Sequence, residues 1–242
     1  RLPDEKVMLS VNERNLCQIV SGKAMFSLVG INADEYPEMP SVEDGKSVTI
    51  AADILESMVR QTIFSTGDPN GSKPVLSGIK YEIGGGEIKL IAVDGFRLAV
   101  RKEKLDTDRE MSFIVPAKAM SEVLKLSAGE GEIKLNVSNR HIIFEIGGYE
   151  VISRLLEGEF IDYKRTIPVN VCTKVTANTA DMIDTIERIS QVIIERLKTP
   201  ISCNFEDNTF HASCVTELGN AQDEIPVKIE GDSIKIGFNS KF

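Results

Sequence analysis

The chain has 242 residues, and 42% of them are hydrophobic, so it can bury a large core and is not a disordered protein. Acidic residues outnumber basic ones by 37 to 28, and the net charge of −9 argues against a protein that grips nucleic acid through many phosphate contacts. The four cysteines and two histidines are scattered, which argues against structural zinc and is typical of a reducing cytoplasm. No apolar run approaches the roughly 20 residues of a membrane span, and no signal peptide is visible.

The first 45 residues predict short β-strands. Apolar residues occupy alternate positions at Val7, Leu9 and Val11, which is the period of a strand with one buried face. Turn-forming residues follow at 12–15, so a hairpin and then a third strand are expected. The opening residues resemble a loop after a helix that is not present, and the chain ends on Phe242 inside an apolar segment. We therefore expect both ends to be cut from a longer protein.

Residues 46–168 predict a unit of two helices and about eight strands. The helices are expected over residues 53–64, with Asp53 as N-cap, and over 116–126, opened by Pro116. The strands are expected at residues 47–50, 76–83, 87–93, 98–103, 111–115, 132–137, 141–146 and 150–156. This pattern indicates an α+β unit whose strands pair antiparallel.

An internal repeat divides the chain into domains. Residues 7–27 align without a gap with residues 133–153, 126 positions later, and share their alternation of apolar residues. Residues 48–58 resemble residues 175–186, 127 to 128 positions later, where a short strand leads into a helix in both copies. We therefore expect the end of one domain in residues 1–45, a complete domain in 46–168 and the start of a third in 169–242.

No motif predicts catalysis or metal binding. The loop 67–73 resembles a phosphate-binding P-loop, but its spacing is one residue short, and a proline after its lysine prevents a helix from starting there. Residues 84–86 are three glycines and predict a tight hairpin turn. Asp106 and Asp108 lack companion ligands, and His141 has no acid or nucleophile motif beside it. The chain is predicted to be non-catalytic, without cofactor or metal.

Two further segments are each compatible with ordinary structure, a hairpin turn at residues 94–99 and a domain connector at 156–168. Together they resemble the bacterial sliding clamps, the beta subunits of DNA polymerase III. Residues 94–99 match the pattern D-G-x-R-L-A, and residues 156–168 match L-x-G-x-F-P-D-Y-x-R-x-I-P with Ile161 in place of a proline. Residues 33–37 are similar to the link of the preceding domain, and residues 236–239 to part of the third. The resemblance covers essentially the whole chain, in order.

This resemblance implies the sliding-clamp fold, in which each domain packs two helices on antiparallel sheets. Family members carry three such domains, and two chains close a ring around duplex DNA with helices lining the hole. The chain is then expected to be a processivity factor of DNA replication in the bacterial cytoplasm, associated with the nucleoid and homodimeric at full length. By itself this length of chain is not expected to close a ring. An acidic exterior with a modestly basic bore would suit sliding, because encirclement supplies the retention.

The implied partners are double-stranded DNA bound without sequence preference, the DNA polymerase III catalytic subunit, the clamp loader, and repair and translesion polymerases. The proteins would dock through a hydrophobic groove that accepts a short peptide, lined by Leu76, Val93, Gly95, Phe96, Arg97, Leu98, Arg165, Thr166, Leu197, Asn239 and Phe242. Phe96 stands where histidine is commoner and Phe242 where tyrosine is commoner, so the aromatic walls are kept while the hydrogen bonding changes.

Two more sets of residues complete the expected sites. The candidates to face DNA are basic residues of the predicted helices and one of a loop: Arg60, Lys118, Lys125, Arg188, Lys198 and Lys73. Lys118 and Lys125 match basic bore positions of the family, and their spacing of seven residues places them on one helix face. The ring interface would use Phe26 and Leu28 on one side and Gln191 and Val192 on the other.

Two other classes of protein remain open. An interaction module could use the groove without ever encircling DNA, and would show no salt-dependent retention on DNA. A small-molecule enzyme would show turnover, or an acid–base pair of strongly perturbed pKa in a deep pocket.

Overall fold

The computed structural model of the chain describes residues 2–3, 5–36, 45–193 and 199–242. It forms two compact units, residues 1–43 and residues 44–242. The first unit is an antiparallel sheet of β1 (Met8–Val11), β2 (Leu16–Ser21) and β3 (Ala24–Val29), in that order, which confirms the predicted hairpin and third strand. A short 3-10 turn follows at Ala33–Glu35. Pro37, the last residue of the first link motif, lies outside the described residues.

The second unit begins with two four-stranded antiparallel sheets and two helices. Their bounds are β4 (Lys46–Ala51), α1 (Ala52–Arg60), β5 (Gly78–Gly84), β6 (Glu87–Val93), β7 (Leu98–Lys104), β8 (Met111–Pro116), α2 (Ala117–Ser127), β9 (Glu132–Val137), β10 (His141–Ile146) and β11 (Tyr149–Arg154). One sheet has the order β11-β10-β9-β4 and the other the order β7-β6-β5-β8. The α+β class is as predicted. The tight turn is confirmed as well, because Gly85 and Gly86 both have positive φ between β5 and β6.

One hydrophobic core joins both sheets to both helices. Leu55 and Met58 of α1 lie on one helix face, and Met120 and Val123 of α2 do the same. The strands contribute alternate residues, as expected for sheets with one buried face: Ile79, Tyr81, Ile83, Ile88, Leu90, Phe113, Val115, Ile133, Leu135, Ile142, Phe144 and Ile146. Each fully buried Leu, Ile or Phe contributes roughly 1.5–3 kcal/mol, so this core dominates the stability of the unit.

Several predicted boundaries are wrong, for local reasons. Asp53 is not the N-cap of α1: Ala51 holds that position without a side-chain cap, and the Asp53 carboxylate accepts from the backbone N–H of Ile54. The helix also ends at Arg60 rather than residue 64, because the buried Thr62 hydroxyl donates to the carbonyl of Met58, and the chain turns into a 3-10 segment at Ile63–Ser65.

Two predicted strand limits also differ from the structure. The strand expected from residue 76 begins at Gly78, because Pro74–Ser77 form a 3-10 turn. The strand expected to reach residue 156 ends at Arg154, where the chain crosses to the other sheet and the N–H of Leu156 donates to the carbonyl of Ile114 at 2.9 Å.

The rest of the second unit surrounds a separate core that includes Ile189, Cys203, Phe210 and Cys214. Its elements are β12 (Thr173–Thr176), α3 (Thr179–Ser190), β13 (Ile201–Glu206), β14 (Thr209–Thr216), β15 (Gly219–Pro226), β16 (Lys228–Gly231) and β17 (Ile234–Phe238). The strands pair as β12-β16 and as β15-β14-β13-β17. No helix in the described ranges has the length and apolarity needed to cross a membrane.

The structure repeats the elements that the sequence comparison paired. The meander β1-β2-β3 corresponds to β9-β10-β11, and the strand and helix β4-α1 correspond to β12-α3. A third correspondence went undetected in the sequence: β15-β14-β13-β17 has the strand order of β7-β6-β5-β8. The domain limits at residues 45 and 168 stay a prediction, since the compact units divide near residue 43 and keep residues 44–242 together.

Gly78 is expected to be intolerant of any side chain. A Cβ on Gly78 would lie 2.5 Å from the carbonyl oxygen of Val115 and 2.8 Å from a methyl of Leu156. Gly78→Ala should therefore lower the free energy of unfolding by about 1–3 kcal/mol through overpacking, measured by urea denaturation. Gly131→Ala is the control, because open space surrounds that position, and it should change stability by less than roughly 0.5 kcal/mol. Equal effects of the two substitutions would contradict this packing.

Candidate peptide-binding site

The link at residues 156–168 is anchored on the second sheet by its aromatic residues. Phe160 and Tyr163 are buried and form one cluster with Val93 and Ile114. Ile161, which replaces the usual proline of the link pattern, is half-buried and packs against the same cluster. The link is therefore tied to the folded unit at residues 160, 161 and 163, while most of its other residues are exposed.

A polar contact beneath this cluster fixes the position of Tyr163. Its hydroxyl donates to a Glu82 carboxylate oxygen at 2.9 Å, and Lys80 Nζ lies 2.9 Å from the other oxygen. Burial raises the pKa of Glu82, but the hydrogen bonds from Lys80 and Tyr163 outweigh burial, so the pKa is lowered overall. Burial and the bond to Glu82 together raise the pKa of Tyr163 to about 12.

Leu76, Val93 and Leu98 of the predicted groove come together in this same cluster. Val93 and Leu98 are register partners at the ends of β6 and β7, so their side chains share one face of the sheet. Leu76 lies in the 3-10 turn before β5, and its carbonyl accepts from the N–H of Gly67 at 2.7 Å. Leu76 and Leu98 are only partly buried, so the cluster presents some apolar surface to solvent.

The turn between β6 and β7 is shaped by one carboxylate. Asp94 Oδ1 accepts from the backbone N–H groups of Phe96 at 3.0 Å and Arg97 at 3.1 Å, while Asp94 Oδ2 accepts from Arg97 Nε at 2.9 Å. Gly95 supplies the positive φ that this turn requires. Burial raises the pKa of Asp94, but these hydrogen bonds more than offset it, so the pKa is lowered overall. Asp94 therefore fixes both the backbone of the turn and the position of Arg97 Nε.

Three aromatic rings gather at this turn. Phe96, which is 78% exposed, stacks on Phe242 with ring centroids 5.0 Å apart and planes inclined by 12°. The Arg97 guanidinium carbon lies 5.0 Å from the Phe242 centroid and 5.2 Å from the centroid of Phe64. Phe242 is held there by a terminal turn, in which its N–H donates to the carbonyl of Asn239 at 3.1 Å. The fold thus brings Phe242 to residues that lie more than 140 positions earlier in the chain, and Asn239 belongs to the turn that holds it.

Arg165 and Thr166 occupy a single 3-10 turn, Tyr163–Thr166, that follows the anchoring tyrosine. The Thr166 hydroxyl donates to the carbonyl of Tyr163 at 2.6 Å, and the exposed Arg165 pairs with Asp162 at 2.9 Å. Leu197, the remaining predicted groove residue, lies outside the described residues.

Sequence reasoning missed three residues of this site. Asp94 belongs to the matched motif, and an aspartate before a glycine is a signal for a side chain that bonds its own turn. Tyr163 was likewise visible within the link motif. Phe64 had no signal, because its contact with Arg97 joins positions 33 residues apart through tertiary structure alone.

Five of the six predicted DNA-facing residues are described and exposed, and three of these five have acidic partners. Arg60 pairs with Glu56, Lys125 with Glu122, and Arg188 with Asp223. Within the described ranges, Lys73 and Lys118 form no ion pair. Lys198 lies outside those ranges.

The helices carry more negative than positive side chains. Four basic residues stand against six acidic ones: Arg60, Lys118, Lys125 and Arg188 against Asp53, Glu56, Glu122, Asp181, Asp184 and Glu187. A modestly basic bore does not follow from these three helices alone. Within the described residues, no three His, Cys, Asp or Glu side chains are grouped so as to hold a metal ion.

The predicted interface residues fall in different compact units. Phe26 and Leu28 lie two positions apart on β3, so they share a face, and both are exposed. Gln191 is exposed at the C-terminus of α3. Val192 is half-buried against the second core, and its carbonyl accepts from the Thr216 hydroxyl at 2.8 Å.

Tyr163→Phe is expected to test the anchoring of the link. Removing the hydroxyl leaves the partly buried Glu82 with one donor fewer, at a cost of about 1 kcal/mol in urea unfolding at neutral pH. The folded pKa of Tyr163 exceeds its ordinary value of 10.0, so its contribution is intact below pH 10 and is lost as pH rises towards 12. The difference in free energy of unfolding between the wild type and Tyr163→Phe should therefore become smaller between pH 10 and pH 12. A gap independent of pH would contradict the bond to Glu82.

The chain is similar in sequence to proteins of one family. Residues 49–162 match the family model described as the central domain of the DNA polymerase III beta subunit. A beta sliding clamp of Staphylococcus aureus is 32% identical over 246 aligned residues, which cover all of this chain and 65% of that relative. The chain thus spans about 65% of the length of the curated relatives it matches.

Solved structures give the same result. The DNA polymerase sliding clamp from Bacillus subtilis has a TM-score of 0.91 at 29% identity, with all of this chain and 65% of that chain covered. The DNA polymerase III beta subunit from Thermotoga maritima has a TM-score of 0.86 at 30% identity, with 99% and 65% covered. In both sequence and fold, this chain is therefore similar to the bacterial DNA polymerase III beta subunits, the sliding clamps.

Proposed function

We propose that this chain is part of a DNA polymerase processivity factor, a non-catalytic ring that encircles duplex DNA and tethers proteins through a peptide-binding groove. The observation that carries the proposal is the assembled site, in which an apolar floor of Leu76, Val93 and Leu98 adjoins Phe96 and Arg97. Apolar pockets with a few oriented polar groups are typical of sites for short linear peptides. The similarity to proteins named sliding clamps supports the same role.

The proposal extends to the assembly and its partners. At the length of its relatives, the protein would form a homodimeric ring in the bacterial cytoplasm, on the nucleoid, through Phe26 and Leu28 on one side and Gln191 and Val192 on the other. Its partners would be the DNA polymerase III catalytic subunit, the clamp loader, and repair and translesion polymerases. Arg60, Lys73, Lys118, Lys125, Arg188 and Lys198 are proposed to face the DNA, with Lys73 and Lys118 the most available because they form no ion pair within the described ranges.

The charge of the chain is compatible with sliding. A ring that is closed around DNA needs no strong phosphate contacts to stay on it, and each tight contact would slow its movement. A net charge of −9 and helices that carry paired basic residues would keep the grip weak.

The same charge distribution favours one second candidate, an adaptor that binds peptides in the groove and never encircles DNA. This candidate is supported by the described helices, which carry six acidic residues and only four basic ones and so offer little attraction to DNA. The topology of the DNA distinguishes the ring from the adaptor, since only a ring is retained on circular DNA and lost from the ends of linear DNA.

Peptide binding should depend on the turn between β6 and β7. A Gln-Leu-x-Leu-Phe peptide is expected to bind this chain saturably in fluorescence anisotropy, and Arg97→Ala combined with Leu98→Ala should weaken it at least about tenfold by removing the guanidinium and part of the apolar floor. The matched control is Arg140→Ala with Leu218→Ala, which removes the same residue types from exposed turns elsewhere. If the control weakens binding equally, the site is misplaced. If nothing binds, the assay on a chain of the relatives' length decides, and a second failure would sink the groove.

DNA retention should depend on topology more than on charge. A protein of the relatives' length, loaded by a clamp loader on nicked circular plasmid, should stay through gel filtration and be lost after the plasmid is linearised. Lys118→Ala should leave this retention intact and lower the salt dependence of binding by about one phosphate contact. Equal loss from circular and linear DNA would favour the adaptor.

A further inference from the structure

We infer that Phe64 is a positioning residue of the groove, which holds the Arg97 guanidinium so that its terminal amino groups receive a carboxylate of the docking peptide. The inference rests on the proposed peptide-binding function and names the partner chemistry of that site: an apolar peptide that carries an acidic group beside its anchors.

Phe64 is fixed in place by the backbone around it. The 3-10 segment Ile63–Ser65 is closed by the N–H of Ser65, which donates to the carbonyl of Thr62 at 2.9 Å. Ile63 on one side of Phe64 packs against the main core, and Ser65 on the other is fully buried. Phe64 itself is 54% exposed, so its ring lies on the surface of a rigid turn and contributes little to the core.

Phe64 completes the restraint of the Arg97 guanidinium. The charged group lies over the faces of Phe64 and Phe242, and its Nε is tied to Asp94. Cation–π contacts at exposed sites contribute about 0.5–1 kcal/mol each. This is sufficient to favour one orientation of the Arg97 guanidinium, because its Nε is already held by Asp94. Phe242 belongs to a turn at residues 239–242, whereas Phe64 belongs to the 3-10 segment whose neighbouring Ile63 packs against the main core.

The outer end of the guanidinium is left with unused donors. Nε forms the only side-chain hydrogen bond of Arg97 among the described residues, so Nη1 and Nη2 have no acceptor there. Both nitrogens are accessible to solvent. A planar pair of N–H donors at the end of a restrained guanidinium matches the two oxygens of a carboxylate. Because Asp94 already offsets the charge of Arg97, the gain from this pairing should be modest.

Four N-acetylated peptides test the inference: Gln-Leu-Asp-Leu-Phe and Gln-Leu-Asn-Leu-Phe, each with a free or an amidated C-terminus. At low salt the wild-type chain should bind at least one carboxylate-bearing peptide about fivefold more tightly than its uncharged counterpart, and added salt should reduce that preference. Phe64→Ala should abolish the preference while leaving the affinity of the uncharged peptide within about twofold. Phe64→Tyr should retain the preference, because the ring face is kept. Tyr149→Ala, which removes an exposed ring elsewhere, is the control and should behave as wild type.

The alternatives give distinguishable results. Equal affinity of the wild type for all four peptides would overturn the carboxylate pairing. If Phe64→Ala weakens charged and uncharged peptides alike, Phe64 is a structural residue and the positioning role is wrong. If no peptide binds the wild type at either chain length, the proposed groove itself fails and this inference fails with it.

Discussion

The burial of two aromatic residues of the link is the interaction on which the candidate site depends. Phe160 and Tyr163 fill the outer face of the second sheet beside Val93 and Ile114. A phenol hydroxyl and a carboxylate are costly to bury without partners, and here Tyr163, Glu82 and Lys80 satisfy one another. The link therefore lies at one place on the sheet, and the residues that follow it start from a fixed position.

The polar groups of the neighbouring turn between β6 and β7 also satisfy one another. One carboxylate, Asp94, accepts two backbone N–H groups and the Nε of Arg97, so a single side chain shapes the loop and orients its cation. The surrounding rings restrict the guanidinium without using its outer donors. A site of this kind is preorganised, which reduces the conformational entropy that a bound peptide would have to overcome.

The electrostatics separate the two proposed surfaces of the protein. The groove combines apolar contacts with one restrained cation, which is suited to specific and saturable binding. Most basic side chains of the described helices are paired with acidic ones, and this arrangement is suited to weak, sequence-independent binding of DNA. In a ring, this division would let partners be held firmly while the DNA remains free to slide.

Much of the fold could be predicted from sequence, and the misses have local causes. The pattern of apolar residues placed β6, β9 and β10 at their observed limits. β9 and β10 alternate because one face is buried along the whole strand, whereas β6 is apolar without a break from Leu90 to Val93 because both of its faces are buried there. The helix α1 was predicted four residues too long, because the pattern of apolar residues continues past Arg60 although the Thr62 hydroxyl has already diverted the backbone. The repeat of β5 to β8 by β13, β14, β15 and β17 escaped detection, since strand order can persist after the residues that form it have changed.

The sequence by itself determined the α+β class, the repeated pattern of strands and helices, and the motifs at residues 94–99 and 156–168, because these depend on local periodicity and on short runs of residues. Tertiary structure alone decided that Leu76, Val93 and Leu98 form one apolar floor, and that Phe64 and Phe242 meet over Arg97. It also decided that Arg60, Lys125 and Arg188 are paired with acidic residues. These contacts join side chains from separate elements, and their distances are set by how sheets and helices pack, which no local pattern records.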